Sequence, residues 1–152
     1  MPGKNGRDEM WALVSALVLV MPVWVLGAES AWTTLAVPGV WEEVSQGRFR
    51  AHDGYAWYRC AVRVPASWEG KALHLRVEQV DNVHEAYVNG IKVGGAGSMP
   101  PAYRSGLGPA RQYAVPAEQV RAGAGNVVAI RVYDREGRGG FKGTAPALVA
   151  GD

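Results

Sequence analysis

The fold is indicated by residues 54–94, which read GYAWYRCAVRVPASWEGKALHLRVEQVDNVHEAYVNGIKVG. Within this stretch, Leu73 to Val77 alternate apolar and polar side chains, which is typical of a strand with one buried face. Asn89-Gly90 lies between two short apolar runs and predicts a tight β-hairpin, because a type I′ turn needs positive φ at both central positions. A dense series of such strands predicts an all-β fold, an antiparallel β-sandwich.

The remaining sequence and the composition agree with this fold class. Residues 126–133 form a strongly β-prone run and predict a central strand. Residues 94–108 are rich in Gly, Pro and Ser and predict a long loop, and residues 116–121 predict a single helical turn. Twenty glycines and nine prolines suit many turns and few long helices, and 152 residues suit one domain.

Charge and cysteine content exclude several classes of protein. The net charge of +2 is small, and basic residues are interleaved with acidic ones, so we expect no nucleic-acid partner. Cys60 is the single cysteine, so no intramolecular disulfide can form. The alternation around it predicts a buried thiol that acts as a small hydrophobic side chain.

The N-terminus has the three-part layout of a secretory signal peptide. Lys4 and Arg7 precede an apolar run over residues 10–26, and small residues follow it. We expect residues 1–28 to be removed on export, to stay apart from the β core, and to leave a secreted or periplasmic protein without stable membrane insertion. An uncleaved signal anchor is the alternative, but the run is shorter than the ~20 residues of a spanning helix and contains Pro22.

Residue patterns for catalysis are missing from the sequence. Glycoside hydrolysis needs two carboxylates across a sugar site, and no motif pairs two of the candidates here. No serine lies in a Gly-x-Ser-x-Gly elbow, and the three histidines, His52, His74 and His84, lack zinc-ligand spacing. We therefore expect no catalytic residues, no metal-ligand set and no enzymatic activity in this chain alone.

Five segments together carry a family resemblance. They are VPGVWE at 37–42, DGYAWYR at 53–59, VDNVHEAYVNG at 80–90, GNVVAIRV at 125–132 and DREGRGG at 134–140. Their order and spacing resemble the jelly-roll, galactose-binding-like sugar-binding domain at the front of family 2 glycoside hydrolases, such as β-galactosidases and β-glucuronidases. The resemblance implies one β-sandwich domain over residues 32–149. In that family the catalytic carboxylates lie in a separate (β/α)8 barrel, for which this chain is too short.

The resemblance implies a non-catalytic carbohydrate-binding or accessory domain of an extracytoplasmic glycoside hydrolase, including a fragment of a longer enzyme. Its expected partners are a weakly bound carbohydrate and a glycosidase catalytic domain. One alternative is an accessory domain of a sialate O-acetylesterase-like esterase, since related modules accompany such enzymes. Another is a structural or protein-interaction β-sandwich without a sugar ligand. No cofactor is expected, although jelly-roll sugar modules often carry a structural calcium ion.

Four residues are candidates for carbohydrate or interdomain contact. If Cys60 and its alternating neighbours face the core, then Trp57 and Arg59 point outward, where they could stack on a sugar or pack on a neighbouring domain. The loop at 134–140 follows the best predicted strand, and Asp134 and Arg138 could bond to sugar hydroxyls. The resemblance implies that the corresponding loop lies toward the catalytic domain, so an interdomain contact is the alternative there.

Overall fold

Antiparallel strands make up about half of the computed structural model, which describes residues 16–19 and 33–151. The strands are β1 (Ala16–Leu19), β2 (Thr33–Leu35), β3 (Gly39–Val40), β4 (Gly54–Arg63), β5 (Leu73–Val77), β6 (Gln79–Asp81), β7 (Val83–Val88), β8 (Ile91–Ala96), β9 (Arg111–Val115), β10 (Gly125–Asp134), β11 (Gly140–Lys142) and β12 (Ala147–Ala150). Helical structure in the described residues is limited to α1 (Trp41–Val44) and two 3-10 turns, Ala66–Trp68 and Ala117–Gln119. None of these helices has the length and apolar character that crossing a membrane requires.

The strands form three sheets, with the orders β2-β1-β4-β10-β7-β8, β3-β11-β6 and β12-β5-β9. Strands β4 and β10 pair along their full length, from Gly125 opposite Arg63 to Asp134 opposite Gly54. Strand β7 pairs with the other edge of β10, so β10 is central, as its β-prone sequence predicts. The predicted antiparallel, all-β sandwich is confirmed.

The hydrophobic core draws side chains from all three sheets. Alternation is regular in β5, where Leu73, Leu75 and Val77 are buried and the two residues between them are partly exposed. Ile130 of β10 and Phe141 of β11 belong to the same buried cluster. Full burial of an aliphatic or aromatic side chain of this size contributes about 1.5–3 kcal/mol, so this alternation supplies much of the driving force for folding.

Asparagine side chains join two of the segments that carry the family resemblance, 80–90 and 125–132, at one end of β10. Asn126 is 1% exposed, and its Nδ2 donates to the carbonyls of Arg121 (2.9 Å) and Ala124 (3.1 Å). Its Oδ1 accepts from Asn89 Nδ2 (2.8 Å) and from the Arg121 amide (2.8 Å). Asn89 Oδ1 in turn accepts from the Val127 amide at 2.9 Å. The hairpin asparagine is therefore bonded directly to the start of the central strand, and Asn126 is fully satisfied.

The predicted hairpin is confirmed, with φ of 48° at Asn89 and 85° at Gly90. We expect Gly90→Val to lower the free energy of unfolding by about 1 kcal/mol or more, because a β-branched residue is strained in the left-handed region. A Cβ at Gly90 would meet no atom within 4 Å, so the effect is conformational. Gly125→Val is the matched control, since Gly125 has equal space and no left-handed φ. Equal urea midpoints for the two variants would contradict this prediction.

The N-terminal segment departs from expectation. Ala16–Leu19, within the predicted signal peptide, forms β1 and pairs antiparallel with both β2 and β4, with Leu19 opposite Trp57. The expectation that this stretch stays apart from the sandwich is therefore wrong for these four residues. Their leucine- and valine-rich sequence suits a strand, and pairing satisfies the backbone groups along the β4 edge. The rest of residues 1–28 lies outside the described residues.

The C-terminal stretch crosses from one sheet to another. It forms two short strands, β11 and β12, which belong to different sheets. Between them Gly143 has φ of 92°, and the Thr144 amide donates to Glu78 Oε2 at 2.8 Å. After this turn the chain no longer pairs with β6 and pairs with β5 instead. The local apolar pattern does not predict this change of partner.

Candidate functional site

The outward side of β4 carries two of the predicted contact residues. Ala56 and Tyr58 are buried, with 0% and 4% exposure, and they face the core. Trp57 and Arg59 alternate with them and therefore point away from the core, Trp57 half-buried and Arg59 exposed. Trp57 and Arg59 therefore point outward, as the sequence predicts.

Register brings residues of β7 and β10 alongside them. Trp57 lies opposite Arg131, and Arg131 lies opposite Glu85 on the next strand. In the adjacent row Tyr55 lies opposite Tyr133. We call this surface the outer face, and define it by Tyr55, Trp57, Arg59, Arg63, Glu85, Tyr87, Lys92, Arg131 and Tyr133.

Aromatic rings on the outer face are joined through one arginine. The Trp57 and Tyr87 ring centroids are 5.4 Å apart, and those of Tyr55 and Tyr133 are 4.9 Å apart. The guanidinium carbon of Arg131 lies 4.5 Å from the Tyr55 ring centroid and 5.9 Å from that of Trp57. These cation–π contacts hold two aromatic pairs in one continuous patch.

Glu85 organises the polar part of the outer face. It pairs with Lys92 at 2.6 Å and with Arg131 at 3.6 Å, and it accepts from the Tyr87 hydroxyl at 3.0 Å. Burial raises the pKa of Glu85, but the hydrogen bonds and charges of these three partners outweigh burial and leave the pKa below its usual value. Glu85 is therefore ionised and already engaged by its neighbours.

Asp134 lies inside the sandwich. Its side chain is 0% exposed, and neither carboxylate oxygen accepts a hydrogen bond of normal geometry from the described residues. Burial raises the pKa of Asp134 to about 7, and the charges of Asp81, Asp53 and Glu42 act in the same direction. The Glu136 amide opposes the rise without making a bond of normal geometry. This side chain presents nothing to a ligand on the surface.

The loop at 134–140 is held by α1. Arg138 forms an ion pair with Glu43, and both side chains are well exposed, so the pair contributes little to stability. The Gly139 amide donates to Glu42 Oε1 at 3.2 Å, and the Trp41 amide donates to the Gly139 carbonyl at 2.9 Å. A Cβ at Gly139 would lie 2.0 Å from the Trp41 ring, so only glycine allows this approach.

The four predicted residues thus fall into separate places. Trp57 and Arg59 share the outer face, whereas Asp134 is interior and Arg138 belongs to the loop on α1. The contribution of Arg131 and Tyr87 was missed, because strand alternation gives their side but not the register that sets them beside Trp57. Tyr103 was also missed: it lies in a loop, 5.9 Å from the Tyr133 ring, with Arg135 5.3 Å above it.

Metal-binding and nucleophilic groups are sparse in the described part of the chain. It contains no cluster of three or more His, Cys, Asp or Glu side chains that could hold a metal ion. His84 is buried and its Nε2 bonds to the Tyr113 hydroxyl at 2.8 Å; burial, with the Arg111 charge, lowers its pKa to about 4. Cys60 is only partly buried, unlike the buried thiol that the sequence predicts; this partial burial raises the pKa of the thiol, which disfavours the reactive thiolate.

Solved glycosidase structures share this fold. A putative β-galactosidase from Bacteroides fragilis is 20% identical with a TM-score of 0.67, over 88% of this chain and 22% of its own. A β-glucuronidase from Bacteroides uniformis is 20% identical with a TM-score of 0.67, over 91% of this chain and 17% of its own. A family 2 glycosyl hydrolase from Bacteroides cellulosilyticus is 17% identical with a TM-score of 0.65, over 90% of this chain and 20% of its own.

The chain therefore spans about a fifth of the length of these enzymes. At about 20% sequence identity, the likeness shows a shared fold. It confirms, for the fold, the resemblance noted in the sequence. No protein-family model and no curated protein matches the amino-acid sequence.

Proposed function

We propose that this protein is a non-catalytic carbohydrate-binding or accessory domain of an extracytoplasmic glycoside hydrolase of the β-galactosidase or β-glucuronidase type. The observation that carries the proposal is the aromatic patch of the outer face. Sugars bind proteins by laying their apolar C–H faces on Trp or Tyr rings while polar groups bond to the hydroxyls. Trp57 offers such a ring, and the exposed Arg59 lies on the same side of β4 as a donor.

The state of two carboxylates supports the non-catalytic part of the proposal. Glu85 is engaged by three partners, and Asp134 is enclosed in the core. Neither is free to act across a sugar as one of two catalytic carboxyl groups. Catalysis is assigned to a separate glycosidase domain, in keeping with the fifth of each related enzyme that this fold represents. The exposed ion pair between Arg138 and Glu43 joins α1 to the loop proposed to face that domain.

Export is part of the same proposal. The basic start, the apolar run at residues 10–26 and the small residues after it support removal of residues 1–28 by a signal peptidase. The mature domain would then meet its glycan outside the cytoplasm.

Titration of oligosaccharides into the protein, followed by tryptophan fluorescence, tests the proposal. We expect weak, saturable binding, and Trp57→Ala should weaken the affinity about fivefold or more, equivalent to about 1 kcal/mol of lost stacking. Trp68→Ala is the control, because Trp68 packs against the core at the Ala66–Trp68 turn and is not on the outer face. Unchanged binding by Trp57→Ala would contradict the assignment. Turnover of a chromogenic glycoside that one point mutation abolishes would contradict the non-catalytic role.

A further inference from the structure

Positive charge is concentrated on the outer face. Arg59 and Arg63 are exposed, and the side chains of Lys92 and Arg131 are 51% and 34% exposed. Glu85 is the one carboxylate among the residues that define this surface. The whole chain is nearly balanced, with 16 basic and 14 acidic residues, so the local excess of cations is a property of the outer face.

Two of these cations have no assigned partner. Among the described residues the side chains of Arg59 and Arg63 take part in no ion pair and no hydrogen bond, although both lie on the sheet that carries the aromatic patch. They are four residues apart on one side of β4, which spaces their Cα atoms by about 13 Å. Two exposed arginines that repel each other do not stabilise the fold. Their spacing along a flat aromatic strip instead suits a ligand with regularly repeated negative charges.

Donor chemistry distinguishes the ligand from a neutral sugar. An arginine offers N–H donors in a fixed planar fork and no acceptor, and the carboxylate of Glu85 is engaged by its neighbours. A neutral glycan has hydroxyl donors that would find few acceptors here. A carboxylate or sulfate group accepts two parallel N–H bonds from one guanidinium, which is a stronger and more selective contact.

We infer that the outer face binds a glycan bearing carboxylate or sulfate groups, with a sugar ring stacked on Trp57 and the anionic groups bound by Arg59 and Arg63. This inference rests on the proposed carbohydrate-binding function and specifies its ligand class. A cleft of about 210 Å³ adjoins the outer face and is lined in part by Lys92, Glu85 and Ser98.

Calorimetric titration with three oligosaccharides of equal length tests this inference: an oligogalacturonate, a chondroitin sulfate and a neutral oligogalactoside. We expect at least one anionic glycan to bind about tenfold or more tightly than the neutral one, and the preference to fall as salt rises. Arg59→Gln should reduce that preference about threefold or more. Arg76→Gln, on β5 in another sheet, is the matched control and should leave it unchanged. Thermal unfolding confirms that both variants are folded.

The outcomes separate the two levels of the proposal. Equal affinity for neutral and anionic glycans would overturn the anionic ligand while leaving carbohydrate binding intact, and binding of no glycan would overturn both. Polyglutamate or single-stranded DNA bound as tightly as the anionic glycan, with no effect of Trp57→Ala, would indicate an acidic macromolecule and would also overturn the inference. The carboxylated and sulfated arms distinguish the two sources of negative charge.

Discussion

Trp41→Ala is expected to lower the free energy of unfolding by about 3–5 kcal/mol. Trp41 is 0% exposed, its Nε1 donates to the His52 carbonyl at 3.0 Å, and its ring meets that of His52 edge-on with centroids 5.3 Å apart. The ring also lies directly against the backbone of Gly139. Truncation would leave a large cavity beneath the loop at 134–140. Because small domains have about 5–15 kcal/mol of stability, the variant should unfold at a much lower urea concentration.

Trp41→Phe is the matched control for this substitution. It retains most of the apolar ring and removes the indole N–H, so we expect a loss of about 1–2 kcal/mol. A loss as large as that of the alanine variant would show that the hydrogen bond to His52, and not packing, dominates. Unchanged stability of Trp41→Ala would contradict the assigned place of α1 in the core.

Asp134→Asn is expected to make the protein more stable than the parent at pH 8 by roughly 4 kcal/mol, with little difference at pH 4. The pKa of Asp134 is raised to about 7 in the folded state, above its usual value of 3.8. Below that usual value both states hold the proton. As the pH rises toward 7 the unfolded chain loses the proton first, so the parent loses stability over this range. The buried amide does not titrate and avoids this loss.

Urea unfolding at a series of pH values measures the difference. Glu118→Gln, an exposed substitution in the Ala117–Gln119 turn, controls for the change in net charge and should follow the parent at every pH. If Asp134→Asn is destabilising at pH 8 by as much as at pH 4, then the carboxylate is stabilised by a partner, and its assigned isolation is wrong.

Local patterns account for the parts of the fold that were predictable. A few neighbouring residues were enough to predict three features: the alternation of β5, the apolar run of β10 and the turn at Asn89-Gly90. The same alternation predicted that Trp57 faces outward. Burial of Asp134 was not visible, because it depends on α1 and β6 closing over the end of β10. Those contacts join residues far apart in the sequence, and no short motif encodes them.

Register limited the prediction of the candidate site in the same way. Arg131 and Trp57 are separated by more than seventy residues, and their contact depends on how β4 and β10 align. The sequence of each strand gives its outward side chains but not their neighbours. The continuous aromatic and cationic patch is therefore a property of the assembled sheet.

The proposed removal of residues 1–28 would change the sheet, because strand β1 lies within them. Cleavage after residue 28 would take β1 away and leave β2 and β4 about 10 Å apart, a gap one strand wide. The backbone groups of β4 beside Trp57 and Arg59 would then be open, and an open edge accepts a strand from another polypeptide. In the precursor, β1 would fill the position between β2 and β4. After export that position would be empty, and a strand from a catalytic domain or from a second chain could complete the sheet there.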